Sequence, residues 1–229
     1  MVVSSKEADD PRIAANELYR FFHIGDEETF ALRGVSVEVD AGEFVAIVGP
    51  SGSGKSTLLA CLAGLDEPDG GWVSVAGQRI TRRSESERAA LRASWIGMLM
   101  QSGNLLEHLS VRENVAAAQA LVPGRERIDP GELLDGVGLG EKHGAAPSTL
   151  SGGESARAGL AVALANDPAV LLADEPTGEV DAETEAVLLR MLGDRAERGS
   201  AIVVVTHSDG VAGAADRVIR LADGRIAGG

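Results

Sequence analysis

The chain has 229 residues, of which 35 are Asp or Glu and 21 are Lys or Arg, so its formal net charge at pH 7 is −14. Because nucleic-acid binding depends on neutralising phosphates with Lys and Arg, this balance argues against nucleic acid as a partner. A nest of backbone N–H groups can still hold a small anion in an acidic protein. The single cysteine cannot form an internal disulfide, which predicts a cytoplasmic protein.

The longest apolar runs are FVAIV, AVLLA and AIVVV. Each has the length of a strand and falls far short of the ~18 apolar residues that a membrane-spanning helix requires. The acidic N-terminal segment carries no apolar stretch of the kind that secretory signals have. We therefore expect no direct insertion into a membrane.

Strands and helices alternate along the predicted chain, after a polar and frayed segment at residues 1–15. In order, the predictions are an alternating strand at 30–39, a buried strand at 44–48, a helix at 58–65, an alternating strand at 72–80, a helix at 84–94, a short strand at 96–100, a mostly helical stretch at 104–165, a buried strand at 169–173, a helix at 182–198, and buried strands at 201–205 and 217–221. Buried strands between helices indicate an α/β fold with a mostly parallel sheet.

A glycine-rich loop follows the strand at 44–48 and fits the phosphate-loop pattern G-x-x-x-x-G-K-[ST]. It reads Gly49-Pro50-Ser51-Gly52-Ser53-Gly54-Lys55-Ser56-Thr57. Glycines let successive N–H groups point inward around an anion, and the following helix adds its positive N-terminal dipole. Lys55 supplies a charge for the β- and γ-phosphates, and the Ser56 hydroxyl is a ligand for Mg²⁺. The pattern predicts a nucleoside triphosphate site.

Two acidic residues end the apolar strand Ala169–Ala173. Asp174 comes directly after it and Glu175 follows. Strand ends form the ligand crevice of open α/β sheets, so these carboxylates are expected beside the phosphate loop. Asp174 would hold Mg²⁺ through water, and Glu175 would polarise the water that attacks the phosphate.

A second anion nest lies in Leu150-Ser151-Gly152-Gly153-Glu154, directly before a helix that starts Ser155-Ala156-Arg157. Two nests for one nucleotide make sense when two chains share each site. With these motifs the sequence resembles the ATP-binding cassette (ABC) ATPases over essentially its whole length. Its details are most similar to the lipoprotein-release and macrolide-export cassettes, although these usually carry Gln-Gln where this chain has Ser155-Ala156.

The resemblance implies a P-loop NTPase fold with a mostly parallel core sheet, an antiparallel β subdomain and an inserted helical subdomain. Residues 1–229 would form one cassette with its helical insert at about 102–160. It also implies roles for further residues. Gln101 resembles the Q-loop glutamine, a catalytic group and Mg²⁺ ligand; Gly178-Glu179-Val180-Asp181 resembles the D-loop; His207 resembles the switch histidine. Phe22 occupies the place of the adenine-stacking aromatic, which Phe21 or Tyr19 could replace.

The resemblance implies that ATP and Mg²⁺ are bound between two cassettes packed head to tail. Lys55, Ser56 and the loop N–H groups would come from one chain, and Ser151, Gly152, Gly153 and Glu154 from the other. A separate integral membrane permease would receive the work, with its docking groove near Gln101 and residues 102–115. The cassette would then lie in the cytoplasm, peripheral to the inner face of the cell membrane.

Other functions remain open at this stage. The ATPase could drive a transmembrane signalling complex in division or wall remodelling instead of an exporter. It could resemble the soluble ABC proteins of DNA repair or translation, although the net charge and single cassette oppose this. A nucleotide-binding module without turnover is opposed by the intact Lys55, Asp174, Glu175 and His207. Cys61 is expected to be a buried packing residue, and the composition offers no zinc site.

Overall fold

The structure is a computed structural model that describes residues 11–24, 27–178 and 180–227. The strands are β1 (Ile13–Ile24), β2 (Glu27–Val39), β3 (Phe44–Val48), β4 (Gly70–Val75), β5 (Gln78–Arg79), β6 (Ile96–Leu99), β7 (Val170–Asp174), β8 (Ala201–Val205), β9 (Arg217–Ala222) and β10 (Arg225–Ile226). The helices are α1 (Lys55–Leu62), α2 (Glu85–Trp95), α3 (Val111–Ala120), α4 (Pro130–Gly136), α5 (Gly152–Ala163), α6 (Ala182–Glu197) and α7 (Asp209–Ala214). Short 3₁₀ turns lie at Gly140–Lys142 and Pro147–Thr149.

The central sheet has six strands in the order β10-β9-β3-β8-β7-β6, and only β10 pairs antiparallel. Its central strands are apolar at every position because helices cover both faces. Leu172 and Val203 point into a core shared with α1, whereas Leu171 and Val204 point into a core shared with α6. The predicted α/β fold with a mostly parallel sheet is confirmed.

The second sheet is antiparallel, in the order β2-β1-β4-β5. Its first strand corrects one prediction, since residues 13–15 are not frayed. Ile13 pairs with Val39 on one side and with Val75 on the other, and its side chain is fully buried. The start of this strand was not predicted because the Ala-Ala-Asn stretch that follows Ile13 lacks both alternation and large apolar residues.

A hairpin replaces the single strand that was predicted at 72–80. The chain reverses at Ala76 and Gly77, whose φ angles are +48° and +73°. Two consecutive left-handed residues turn the chain back on itself, as in two-residue hairpins. Strands β4 and β5 therefore pair with each other antiparallel.

The strand at 217–221 is present but is not buried on both faces. In β9 only Ile219 and Leu221 are buried, and the side chains between them face solvent. The strand pairs with β3 inside the sheet, and its other edge carries only the two-residue β10. A half-exposed strand alternates apolar and polar residues, which Arg217-Val218-Ile219-Arg220-Leu221 does only in part.

Helices α3, α4 and α5 share a small apolar core of their own, which includes Val115, Leu134, Leu139 and Ala158. The predicted helical stretch at 104–165 is thus confirmed as three helices with turns between them. Helix α4 begins at Pro130, because the Asp129 side chain accepts the N–H of Gly131 and Pro130 suits a first helical position. The described residues include no helix long and apolar enough to cross a membrane.

Candidate functional site

The predicted site residues meet at one edge of the central sheet. The phosphate loop follows β3, Gln101 follows β6, Asp174 ends β7 and His207 follows β8. These strands are neighbours in the sheet and run parallel, so their carboxyl ends share one crevice. A cleft of about 440 Å³ lies there, lined by Ser51, Gly52, Lys55, Ser56, Gln101, Asp174, Glu175, Gly178, Val205 and His207.

The phosphate loop is built into the body of the protein. Gly54 has φ +103°, and a Cβ at this position would collide with the carbonyl oxygen of Ala31 in β2. The Lys55 side chain is 7% exposed, and its Nζ donates to the carbonyl oxygens of Gly49 (2.9 Å) and Pro50 (3.0 Å). The loop thus holds its ammonium group over its own concave side. Thr57 lies behind it in the first turn of α1, outside the cleft lining.

The donor set fits a phosphate-bound magnesium ion. The hydroxyl of Ser56 hydrogen-bonds Asp174, and Gln101 lines the same cleft. Hydroxyl, carboxylate and amide oxygens are ligands that Mg²⁺ accepts. Burial raises the pKa of the Asp174 carboxyl, and the neighbouring Glu175 raises it too, while the bond from Ser56 and the charge of Lys55 oppose this. An added cation would relieve the cost of keeping this carboxylate charged. Ser53 is 3% exposed, and its Oγ is buried in the loop without a hydrogen-bond partner among the described residues. A hydroxyl donor in this position fits a bound anion.

Glu175 is held in a constrained position. Its backbone has φ +46°, and its N–H donates to Val205 O at 2.9 Å. Its Oε2 accepts the backbone N–H of His207 (3.1 Å) and the hydroxyl of Thr206 (3.3 Å). The other oxygen, Oε1, lies 3.6 Å from His207 Nε2, beyond direct hydrogen-bond distance. One carboxylate oxygen is therefore fixed by the protein, and the other faces the cleft beside His207.

Two residues that support His207, Thr206 and Ser208, were not predicted from the sequence. Thr206 Oγ1 donates to Glu175 and accepts the backbone N–H of Ser208 at 2.9 Å. Ser208 Oγ in turn donates to Glu185 of α6 at 3.0 Å. The side chain of Thr206 is fully buried, and its place just before His207 was the only available signal. These bonds fix the backbone on both sides of His207, whose ring stays exposed.

The second anion nest, residues 150–154, is called the signature segment below. Its local structure differs from that of the phosphate loop. Ser151 and Glu154 form a capping box, in which each side chain accepts the other residue's backbone N–H, at 3.3 Å and 2.8 Å. Lys142 lies 3.3 Å from Glu154. None of Ser151, Gly152, Gly153 and Glu154 lines the phosphate-loop cleft. Gly152 instead lines a neighbouring cavity of about 190 Å³ that reaches Gln101 and the far side of Glu175.

The segment 178–181, which resembles the D-loop, lies next to the signature segment. Asp181 caps α6 by accepting the N–H of Thr184 at 2.8 Å, and Thr184 packs against Gly153 of the signature. The hydrogen bonds from Thr184 and Glu183 lower the pKa of Asp181. Glu179 lies outside the described residues. Asp181 and the signature are thus adjacent within one chain.

The three aromatic candidates for the adenine occupy different surroundings. The Phe22 ring is 37% exposed, and the Arg20 guanidinium lies 4.5 Å from its centre. The Phe21 ring packs on Phe30 with centroids 5.8 Å apart. Tyr19 covers Gly34, so that a Cβ there would contact its hydroxyl. Among the contacts of the described residues, the Phe22 ring meets no other aromatic ring and no glycine.

Comparison with known proteins identifies the family of this chain. A model of the ABC transporter family matches residues 32–178. An uncharacterized ABC transporter ATP-binding protein of Thermotoga maritima is 43% identical over 93% of this chain and 92% of that one. The macrolide export ATP-binding/permease protein MacB of Hyphomonas neptunium is 42% identical over 94% of this chain, which spans 34% of that protein.

Among solved structures, an ATP-binding cassette captured as a dimer after hydrolysis, bound to ADP and Pi, is 33% identical with a TM-score of 0.86. The alignment covers 93% of this chain and 96% of that one. Fold, site geometry and family match agree, and the chain belongs to the ATP-binding cassettes of the ABC transporter family.

Proposed function

We propose that this chain binds ATP with Mg²⁺ and hydrolyses it to ADP and phosphate, as the motor subunit of a membrane permease. The observation that carries the proposal is the convergence of Lys55, Asp174, Glu175 and His207 from three adjacent strand ends on one cleft. Lys55 and the loop N–H groups hold the β- and γ-phosphates. Phosphoryl transfer needs positioning and charge stabilisation above all, and a rigid sheet edge supplies both.

Ser56, Gln101 and Asp174 are the residues that would hold the metal. When bound, Mg²⁺ would offset the negative charge that builds on the phosphate oxygens. The protein's part is to keep Asp174 ionised and oriented, which the Ser56 hydroxyl and the Lys55 charge favour.

Glu175 orients and deprotonates the attacking water through Oε1, because Oε2 is already occupied by Thr206 and His207. The proton of the water passes to this carboxylate while the oxygen attacks the γ-phosphorus. His207 contacts the γ-phosphate from the exposed side of the cleft. Fixing one carboxylate oxygen leaves the other to act from a single direction, which lowers the entropy cost of the reaction.

The second half of each site comes from a second copy of the chain, packed head to tail. Support comes from the signature segment, which is exposed and lies outside the phosphate-loop cleft of its own chain. Ser151 Oγ accepts the N–H of Glu154 and also hydrogen-bonds the Glu154 carboxylate, and by turning from that carboxylate its hydroxyl can donate to the γ-phosphate of the partner's nucleotide. Gly152 and Gly153 offer the first N–H groups of α5, while the N–H of Glu154 is already donated to Ser151. Residues 1–229 act as one cassette, with α3, α4 and the start of α5 as its helical insert.

The permease docks between the central sheet and these helices, in a groove beside β6 that Gln101 and residues 102–115 do not line. An apolar groove of about 460 Å³ lies there between α2, β6, α3 and α5. Leu121 lines it and is 68% exposed. The MacB relatives, named for macrolide export, favour an exporter. The cassette then works in the cytoplasm, at the inner face of the membrane.

The decisive experiment measures phosphate release by the purified chain with Mg²⁺ and ATP. We expect wild-type turnover, and a loss of about 10²–10⁴-fold in Glu175→Gln, since a general base contributes that much. Glu183→Gln, an exposed carboxylate in the first turn of α6, is the matched control and should keep full activity. Turnover in Glu175→Gln at the wild-type rate would refute the assignment of the base.

A second experiment addresses the partner. Leu121→Glu should abolish co-purification with a co-expressed permease and leave basal ATP hydrolysis unchanged. Ile128→Glu is the control, because Ile128 is 47% exposed on the helical segment but does not line the groove. Equal loss of the permease in both variants would place the docking surface elsewhere. A permease complex that hydrolyses ATP but moves no cargo would favour a signalling role over transport.

A further inference from the structure

We infer that Arg20 is a positioning residue for the nucleotide base, which it serves by fixing the ring of Phe22. The inference rests on the proposed nucleotide site and adds to it a residue that does not touch the reacting atoms. Two carboxylates hold the Arg20 guanidinium through three hydrogen bonds. Arg20 Nε and Nη2 donate to the two oxygens of Asp66 at 2.8 and 2.9 Å, and Nη1 donates to Asp69 at 3.0 Å.

This arrangement leaves the guanidinium little freedom. A fork-to-fork pair with a carboxylate fixes the plane of an arginine, and a second carboxylate fixes its remaining arm. The hydrogen bonds that Arg20 donates to Asp66 raise the pKa of Arg20, although burial opposes this, so the group stays charged. Arg20 also lies over the Phe22 ring, 4.5 Å from the ring centre, which is cation–π geometry. One face of the ring is thus covered by a fixed cation.

The base is assigned to the other face of the Phe22 ring, since Arg20 covers the first face and the residue is 37% exposed. A ring that is already immobilised loses less side-chain entropy when a base stacks on it. The cation covers the ring face away from the base and does not compete with it.

Asp66 and Asp69, the two carboxylates that hold Arg20, also connect the Phe22 region to the phosphate loop. Asp66 and Asp69 lie in the loop that follows α1, and α1 begins at Lys55 of the phosphate loop. Asp69 further ties this loop to β1, since its carboxylate accepts the N–H of Phe21 and its own N–H donates to Tyr19 O. The group that holds the base and the loop that holds the phosphates are therefore joined through one short, rigid connection.

The test compares ligands with and without a base. Affinities for ADP and for pyrophosphate, each with Mg²⁺, are measured by calorimetry for wild type, Arg20→Gln, Phe22→Ala and the double variant. Neither ligand is turned over. Arg20→Gln should raise the Kd of ADP about three- to tenfold, the range expected for immobilising one side chain, and leave that of pyrophosphate unchanged. In the double variant ADP should bind no more weakly than in Phe22→Ala. Arg20→Lys, which keeps the cation, should recover part of the affinity.

Arg88→Gln is the matched control, because Arg88 also pairs with two carboxylates, Glu67 and Glu85, at similar exposure, and carries no ring in the described contacts. It should leave ADP binding unchanged. Additive losses in the double variant, or equal losses for ADP and pyrophosphate, would reduce Arg20 to a structural ion pair and overturn the inference. Unchanged ADP affinity in Phe22→Ala would also overturn it, without touching the phosphate site. Failure of the wild-type chain to bind either ligand would instead refute the proposed function.

Discussion

The phosphate loop and the signature segment are both anion nests at the start of a helix, yet they are built in opposite ways. The phosphate loop lies at the end of a buried strand, with Lys55 almost fully enclosed and Gly54 pressed against β2. The signature segment is exposed, and Ser151 and Glu154 satisfy each other. The phosphate loop is thus a buried, prearranged anion nest. The signature segment is stable alone and offers its remaining donors outward, as expected of half a site.

The strongest test of this contrast mixes two inactive variants. Lys55→Ala removes the ammonium group of the phosphate loop, and Ser151→Ala removes the hydroxyl of the signature segment. Each homodimer should therefore lose nearly all ATP hydrolysis. Mixed dimers contain one site in which both halves are intact, because each site takes one half from each chain. Mixing the two proteins should restore up to about a quarter of the wild-type rate of phosphate release, since half of the dimers are mixed and each has one good site. No recovery on mixing would mean that the signature acts within its own chain.

The chain contains an internal control for the signature serine. Ser110 and Glu113 form the same capping box at the start of α3, with distances of 3.3 and 2.8 Å. Ser151→Ala and Ser110→Ala should each lower the free energy of unfolding by about 1 kcal/mol. Only Ser151→Ala should also lower hydrolysis, by about 10²-fold, because it removes a donor from the developing charge. Denaturant melts and phosphate release measure the two effects. Equal hydrolysis in both variants would show that Ser151 is only a helix cap.

The buried character of the phosphate loop predicts that a change in its backbone damages the fold as well as the site. Gly54→Ala places a methyl group at φ +103° against the carbonyl oxygen of Ala31. We expect a loss of about 1–3 kcal/mol in the free energy of unfolding, the usual cost of a strained residue. Gly52→Ala is the control, since it has φ +78° but open space around it, and it should cost less. Urea melts of both variants measure the free energy of unfolding. An equal loss in the two variants would show that the contact between Gly54 and β2 contributes little to stability.

The smallest expected effect concerns Cys61, which is buried in α1, the helix that follows the phosphate loop. Burial raises the pKa of its thiol to about 12 in α1. Because the thiolate is disfavoured in the folded state, Cys61 should resist a thiol reagent at pH 8 and react only when α1 opens. In unfolded chains the thiol ionises near its usual pKa of about 8.5, so this group's contribution to stability is lost as pH rises above that value. Bound ATP should slow labelling further. Rapid labelling of the native protein would contradict a rigid α1.

Much of the fold could be predicted because its signals are local. The buried strands β3, β7 and β8 were found within a residue of their ends, since full burial on both faces produces an unbroken apolar run. The S-x-x-E pattern at 84–87, 110–113 and 151–154 could have located three helix starts as well. The hairpin at Ala76-Gly77 and the buried start of β1 escaped, because neighbouring strands rather than local sequence decide them.

The sequence by itself determined the chemistry of this protein. A phosphate loop, an acidic strand end and a signature are contiguous motifs, and the order of strands and helices brings strand ends to one edge of a parallel sheet. Only the tertiary structure decided which groups support them. The bonds from Thr206 to Glu175 and from Arg20 to Asp66 join residues 31 and 46 positions apart. Such contacts depend on packing across the fold, and no short pattern in the chain encodes them.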